Sequence, residues 1–288
     1  MRETQLLKKE RSVMSLPRWN ALPRPFVMGV LNVTPDSFSD GGRFVTAAAA
    51  VERAFQMVGE GADLLDIGGE STRPGSEPVD VAEELRRVLP VIERLAGRVG
   101  VPLSIDTTKS DVAGAAIKAG AAIVNDISGG KLDPEMAYVV AETKAHWILG
   151  HIRGTPRDMQ DNPVYGDVVA EVGDELMALA AAAEEKGVPS DALLVDPGIG
   201  FGKTLDHNLS LLKHLAELVG RGRPVWVGTS RKGFLGKLLG GAPPEDRVEG
   251  TSATAALAVA AGVSIVRVHD VKAMARVVAV AAAVANAR

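Results

Sequence analysis

The order of elements along the 288 residues predicts an α/β chain folded as a single-domain (β/α)8 barrel. Two observations carry this. Eight short apolar runs rich in β-branched residues recur, each followed by a polar, Gly-containing segment and then by a longer stretch with helical spacing. The length also suits one such TIM barrel of about 250 residues, preceded by a short N-terminal extension over 1–25, with the barrel domain running over 26–288. A doubly wound open sheet is the alternative that the same alternation allows.

In chain order, a strand at 26–31 leads to a helix at 47–59, whose start Thr46 can cap and whose end meets Gly61. A strand at 64–67 leads to a helix at 81–96. The third unit joins 102–105 to a helix at 112–119, with Asp111 as its cap and Gly120 as its left-handed stop. Strand 122–125 precedes helix 134–143, and strand 147–151 precedes helix 167–186, which Gly187 ends. Strands at 193–196, 225–228 and 264–268 precede helices at 209–219, 247–261 and 272–285, the middle one stopped by Gly262.

Composition narrows the function. With 46% hydrophobic and 24% charged residues the chain is an ordinary globular protein rather than a disordered or low-complexity one. Its 32 basic and 36 acidic side chains give a net charge of −4, so no global positive field draws it to nucleic acid or an anionic membrane. The absence of cysteine excludes disulfides, thiolate zinc sites, iron–sulfur clusters and cysteine nucleophiles. His146, His151, His207, His214 and His269 form no recognisable metal-binding spacing. Residues 1–25 carry several cations but no apolar core of a signal peptide, and the low-charge runs at 253–266 and 277–287 are shorter than the ~20 residues of a membrane span. A cytoplasmic protein with buried C-terminal helices is expected.

A barrel sets functional side chains at the carboxyl ends of its strands. Asn32, Asp106, Asn125, His151, Asp196, Lys232, Arg267 and His269 all fall there. Singly, each could be a cap or a turn residue; together they point into one cavity. The run Asp196-Pro-Gly-Ile-Gly-Phe-Gly-Lys-Thr204 looks like a phosphate loop, but Gly198 is one residue too close to Gly202 for the nucleotide-triphosphate spacing. What remains is a carboxylate followed by a glycine loop that lets a flat ligand approach the backbone. Gly228-Thr-Ser-Arg-Lys-Gly233 lacks the spacing of a hydrolase elbow. Its adjacent cations, Arg231 and Lys232, suggest an anionic or carbonyl-bearing ligand. Arg267 and His269 share one side of a strand and suit a phosphate or pyrophosphate. The Gly-bounded loops at 31–42 and 68–75 are candidate lids.

Seven motifs in order then give the chain a family resemblance: Leu31-Asn-Val-Thr-Pro-Asp-Ser-Phe-Ser-Asp-Gly-Gly, Gly68-Gly-Glu-Ser-Thr-Arg-Pro-Gly, Ser104-Ile-Asp-Thr, Val124-Asn-Asp-Ile, Asp196-Pro-Gly-Ile-Gly-Phe-Gly-Lys, Ser230-Arg-Lys and Arg267-Val-His-Asp. From about Phe26 onward the chain resembles the bacterial dihydropteroate synthases of folate biosynthesis. The resemblance implies a transferase that joins 6-hydroxymethyl-7,8-dihydropterin diphosphate to 4-aminobenzoate, releasing pyrophosphate and 7,8-dihydropteroate, with magnesium as cofactor. It also implies a homodimer and a sulfonamide target. By resemblance, Asp106, Asn125, Asp196 and Lys232 hold the pterin ring; Arg267 and His269, with Asn32 through magnesium, hold the diphosphate. Phe38, Thr72 and Pro74 form the aminobenzoate pocket, Arg73 contacts the diphosphate region, and Asp40 lies near the cationic centre of a dissociative reaction. Catalysis falls to Asp106, Lys232, Arg267 and Asp40.

These residue types suit a pterin, whose ring N–H beside an exocyclic amine offers a carboxylate two parallel hydrogen bonds. Two positions depart from the family pattern. Gly233 stands where a serine commonly helps bind the aminobenzoate carboxylate, leaving a backbone N–H at a helix start. Gly150 stands where a methionine often packs on the pterin face, a contact left to Ile152 or Trp147. The rival functions are a pterin-binding methyltransferase and a pterin-binding paralogue without turnover.

Overall fold

The computed structural model describes residues 16, 19, 22, 24–34 and 43–287, with the backbone alone at 43–46. Eight parallel strands form one sheet in the order β6-β5-β4-β3-β2-β1-β8-β7. These are β1 (Phe26–Asn32), β2 (Leu64–Gly68), β3 (Leu103–Asp106), β4 (Ile123–Asp126), β5 (His146–Gly150), β6 (Leu193–Asp196), β7 (Trp226–Val227) and β8 (Ile265–Val268). The two ends of the sheet meet through a single bridge, Val195 to Val225, with the Val195 N–H donating to the Pro224 carbonyl at 3.0 Å. A nearly closed barrel results, and the open-sheet alternative falls.

Strand period decides what each side chain does. Outward residues such as Val27, Leu65, Ile105, Val124, Leu149, Val195 and Val266 are buried against the helices. Inward residues divide by depth. At the amino ends, Met28, Leu64, Ile123, Ile148, Leu194, Trp226 and Ile265 fill the bore, and Trp19 closes it from below. Trp19 is 2% exposed, and its indole N–H donates to His146 Nδ1 at 2.7 Å. At the carboxyl ends the inward positions turn polar, so the apolar plug forms the floor of a cavity.

The helices are α1 (Arg43–Glu60), α2 (Val81–Leu95), α3 (Ser110–Ala119), α4 (Met136–Thr143), α5 (Val168–Glu185), α6 (Leu205–Lys213), α7 (Leu215–Val219), α8 (Gly233–Leu238), α9 (Val248–Ala260) and α10 (Val271–Ala285). Several starts differ from the sequence expectation. Position 46 lies inside α1 rather than before it. Helix α3 begins at Ser110, so Asp111 sits in its first turn, and the Ser110 N–H is satisfied by Asp133 Oδ2 at 2.7 Å from the next loop. The helix expected at 209–219 is two: α6 starts earlier, capped by Thr204 and His207, and α7 follows after His214. The short α8 falls between the strand expected at 225–228 and the helix expected at 247–261, a stretch for which the sequence predicts no element.

Candidate active site

The cavity at the carboxyl ends is built layer by layer from strand register. Asn32 pairs in register with Gly68, Gly68 with Asp106, and Asp106 with Asn125, while Gly150 is level with Asp196. Asp106, Asn125 and Asp196 are buried. Gly68 keeps the rim open: a Cβ there would lie 3.5 Å from Asp106 Cβ and 3.7 Å from Asn32 Oδ1. Asn32 therefore stands beside Asp106 at the mouth.

One layer deeper lies a residue that sequence reading missed. Asp66, fully buried, accepts from Asn125 Nδ2 at 2.9 Å and lies 2.7 Å from Arg267 Nε. Arg267 also donates from Nη2 to Asp106 Oδ2 at 2.5 Å. Its guanidinium thus binds two carboxylates from β2 and β3 inside the barrel. The signal for Asp66 was a lone acid in the otherwise apolar run Leu64-Leu-Asp-Ile-Gly68, where an unpaired charge would be costly. Among the described residues Asp66 Oδ1 and Ser104 Oγ are buried without a hydrogen-bond partner, unused capacity on the pocket floor.

Burial and the neighbouring carboxylates push Asp106 up to about 7, against the pull of Arg267. Burial also raises Asp196, opposed by Lys232. Lys232 is pushed down to about 8 by burial, offset by Asp196. Three carboxylates, Asp66, Asp106 and Asp196, share this space with two cations, Arg267 and Lys232. Such a site accepts a ligand rich in N–H donors, or one that develops positive charge.

Lys232 donates to the Ile199 carbonyl in the glycine loop and lies 4.3 Å over the Phe201 ring. Arg231, its expected companion, turns away: at φ 59° it forms a two-point pair with Asp270, at 3.0 and 2.5 Å. The two adjacent cations therefore do not act together on one ligand. His269 is held by Ser230, whose Oγ accepts its backbone N–H at 3.1 Å and lies 3.0 Å from its Nδ1. Burial, then the field of Arg267 and Arg231, lowers His269 to about 3 and keeps the imidazole neutral.

Thr72, Arg73 and Pro74 lie in the loop after β2, where the Gly75 N–H donates to the Pro156 carbonyl at 3.0 Å and the Ser76 N–H to the Arg73 carbonyl at 3.0 Å. The field of Arg73 adds, as the smallest contribution, to the lowering of His269. Phe38 and Asp40 lie outside the described residues. His151 is fully buried beside Lys203, beneath the glycine loop rather than in the ring of ligand-facing groups.

The departures from the family pattern also find their places. A Cβ at Gly150 would lie 2.5 Å from Ile127 Cα and 2.7 Å from the Asp126 carbonyl, so backbone occupies that space. Ile152 packs with Ile127, Met159 and Phe201 in an apolar patch, whereas Trp147 faces outward into the helix layer. Ile152, and not Trp147, is the residue available to replace the missing contact. Gly233 opens α8 with nothing within 4 Å of where a Cβ would stand.

Among the described residues no cluster of three or more His, Asp or Glu side chains could hold a metal. A hard cation would need oxygens of its ligand beside Asn32. A cavity of about 540 Å³ opens at the opposite end of the barrel, lined by Trp19, Arg24 and Arg223 among others. Its two arginines are already paired, with Asp63 and Glu184, so it lacks the free convergent groups of the carboxyl-end site.

Comparison with known proteins agrees with this geometry. The profile of the pterin binding enzyme family matches residues 28–269. A dihydropteroate synthase of Synechocystis sp. is 50% identical over 258 residues, covering 90% of this chain and 89% of that protein. A Xanthomonas albilineans dihydropteroate synthase solved with 4-aminobenzoic acid superposes with a TM-score of 0.86 at 48% identity, covering 92% of this chain and 94% of that one. A Yersinia pestis dihydropteroate synthase in a sulfonamide drug complex gives 0.87 at 44% identity, covering 93% and 96%. The chain belongs to the dihydropteroate synthases of the pterin binding enzyme family.

Proposed function

We infer that this chain condenses 6-hydroxymethyl-7,8-dihydropterin diphosphate with 4-aminobenzoate to give 7,8-dihydropteroate and pyrophosphate. The observation that carries the reading is the buried ring of Asp106, Asn125, Asp196, Lys232 and Arg267 above an apolar floor. Asp196 donates nothing when ionised and accepts the pterin N–H pair; Lys232 donates to the ring carbonyl. Asn125, with its amide N–H on Asp66, turns its oxygen to a ligand donor.

The reaction breaks the C–O bond to the diphosphate, whose electron pair leaves with pyrophosphate. The arylamine nitrogen then attacks the pterin methylene and loses a proton. Positive charge on the pterin develops next to Asp106, Asp66 and Asp196, which are fixed before the reaction and lower its energy there. Arg267, Arg73 and the neutral His269 serve the departing diphosphate and Thr72 and Pro74 the arylamine; the family resemblance alone gives Asp40 a role toward the cationic charge and Phe38 one toward the arylamine. Magnesium, held by Asn32 and diphosphate oxygens, would neutralise leaving-group charge.

A homodimer is part of the same reading, supported by apolar side chains on the outer faces of α9 and α10: Leu257, Val280 and Val284 are 62%, 66% and 71% exposed. A cytoplasmic site and sulfonamide binding in the arylamine pocket complete it; no helix among the described residues is long and apolar enough to cross a membrane. Asp196→Asn tests the pocket: the amide offers N–H to N–H, so 7,8-dihydropteroate should bind about 10–100-fold more weakly in calorimetry, with folding retained. Unchanged affinity would remove Asp196 from the pterin edge.

A further inference from the structure

We propose that Lys203 is a positioning residue of the pterin pocket, tying the glycine loop after β6 to the backbone after β5 and thereby fixing Asp196 and Phe201. This rests on the reading of the cavity as a pterin site. The two loops lie backbone against backbone. A Cβ at Gly198 would fall 1.8 Å from the His151 carbonyl oxygen, and one at Gly202 would fall 2.3 Å from the Arg153 carbonyl oxygen. Both glycines have φ of +65°.

Stacking two loops this closely brings carbonyl oxygens together, and Lys203 sits where they converge. Its Nζ donates to the Phe201 carbonyl at 3.0 Å, lies 3.4 Å from the His151 carbonyl and 3.0 Å from His151 Nδ1. The side chain is 2% exposed, and among the described residues no carboxylate forms an ion pair with it. As an ammonium it can only donate, so Nδ1 of His151 accepts and the ring hydrogen sits on Nε2, which lies 3.2 Å from Glu175 Oε2 without forming a hydrogen bond to it. Lys131 and Arg153 hold Glu175 in turn, at 2.8 and 2.7 Å.

The consequence reaches the ligand through the loop. The Gly198 N–H donates to Asp196 Oδ1 at 2.8 Å, which sets the carboxylate's orientation. Phe201 and Ile199 receive Lys232, by ring face and by carbonyl. A cation outside the pocket thus sets the seats of two residues inside it. Burial, partly offset by Asp196, pushes Lys203 down to about 7, as expected for a lysine kept dry without a carboxylate in contact.

The test is calorimetric binding of 7,8-dihydropteroate to the full chain and to Lys203→Met and Lys203→Gln, together with steady-state kinetics. Lys203→Met should weaken binding about tenfold and raise the pterin-diphosphate KM to match, with kcat at saturation within threefold. Lys203→Gln, which keeps a donor, should recover part of the loss. Affinity of Lys203→Met within twofold of the unmutated chain overturns the proposal. Should that variant fail to fold, Lys203→Gln decides: a weakening of about threefold supports the proposal, and unchanged affinity overturns it. If the unmutated chain does not bind dihydropteroate, the functional reading falls and this inference with it. If that chain binds and Lys203→Met binds equally well, this inference falls alone.

Discussion

At the scale of single residues, the pocket's charge arrangement predicts its pH dependence. Asp106 titrates near 7 because burial resists its ionisation, and Lys232 near 8 because burial resists its protonation. Asp106 can accept a pterin N–H beside the pair held by Asp196 only when ionised, so affinity falls as pH drops below 7; the ring carbonyl needs Lys232 protonated, so affinity falls as pH rises above 8. Dihydropteroate binding measured across pH 5–10 should therefore be bell-shaped with its maximum between the two. Loss of the acid limb alone in Asp106→Asn would assign it, and a flat profile would contradict the arrangement. Most pocket residues were legible as polar types at strand ends. Asp66 was not, because a buried acid reads as a break in an apolar strand until Arg267 is seen beside it. Arg231 was legible only as a charge; its pairing with Asp270 depends on a backbone turn that residue type does not reveal.

At the scale of elements, the loop after β6 does what strands cannot, since only it can bring backbone against the β5 loop. Gly198→Ala would force a Cβ into the His151 carbonyl at a left-handed φ. A loss of about 2–4 kcal/mol in urea unfolding, together with weakened dihydropteroate binding, is expected. Unchanged stability and binding would show that the loop is free to move. Strands were legible to within a residue or two, because a parallel strand buried on both faces leaves a short apolar run. Helix starts were less so. The α3 start depends on Asp133, a residue from a different unit, and α6 begins at a capping box whose His207 stands where Glu or Gln is usual. The short α8 has no periodicity long enough to register.

At the scale of the whole molecule, the two ends of the barrel have separate roles. An apolar bore closed by Trp19 carries stability, and the polar carboxyl end carries ligand. Trp19→Ala removes a large buried ring and leaves His146 Nδ1 unmatched, so it should cost about 3–5 kcal/mol in chemical denaturation. Dihydropteroate affinity should stay within twofold, because the plug lies at the far end from the pocket. A matching loss of affinity would mean that the ends are coupled. The eight-fold alternation made the barrel legible, yet nothing in the local pattern of residues 1–25 marked Trp19 as its stopper, since a single aromatic has no period. Whether the carboxyl-end site is a working synthase is decided by pyrophosphate release from pterin diphosphate, with and without magnesium and with 4-aminobenzoate omitted. Release that depends on both, accompanied by dihydropteroate formation, is the predicted result. Bound pterin diphosphate with no release when both are present would contradict it and leave a pterin-binding chain without turnover.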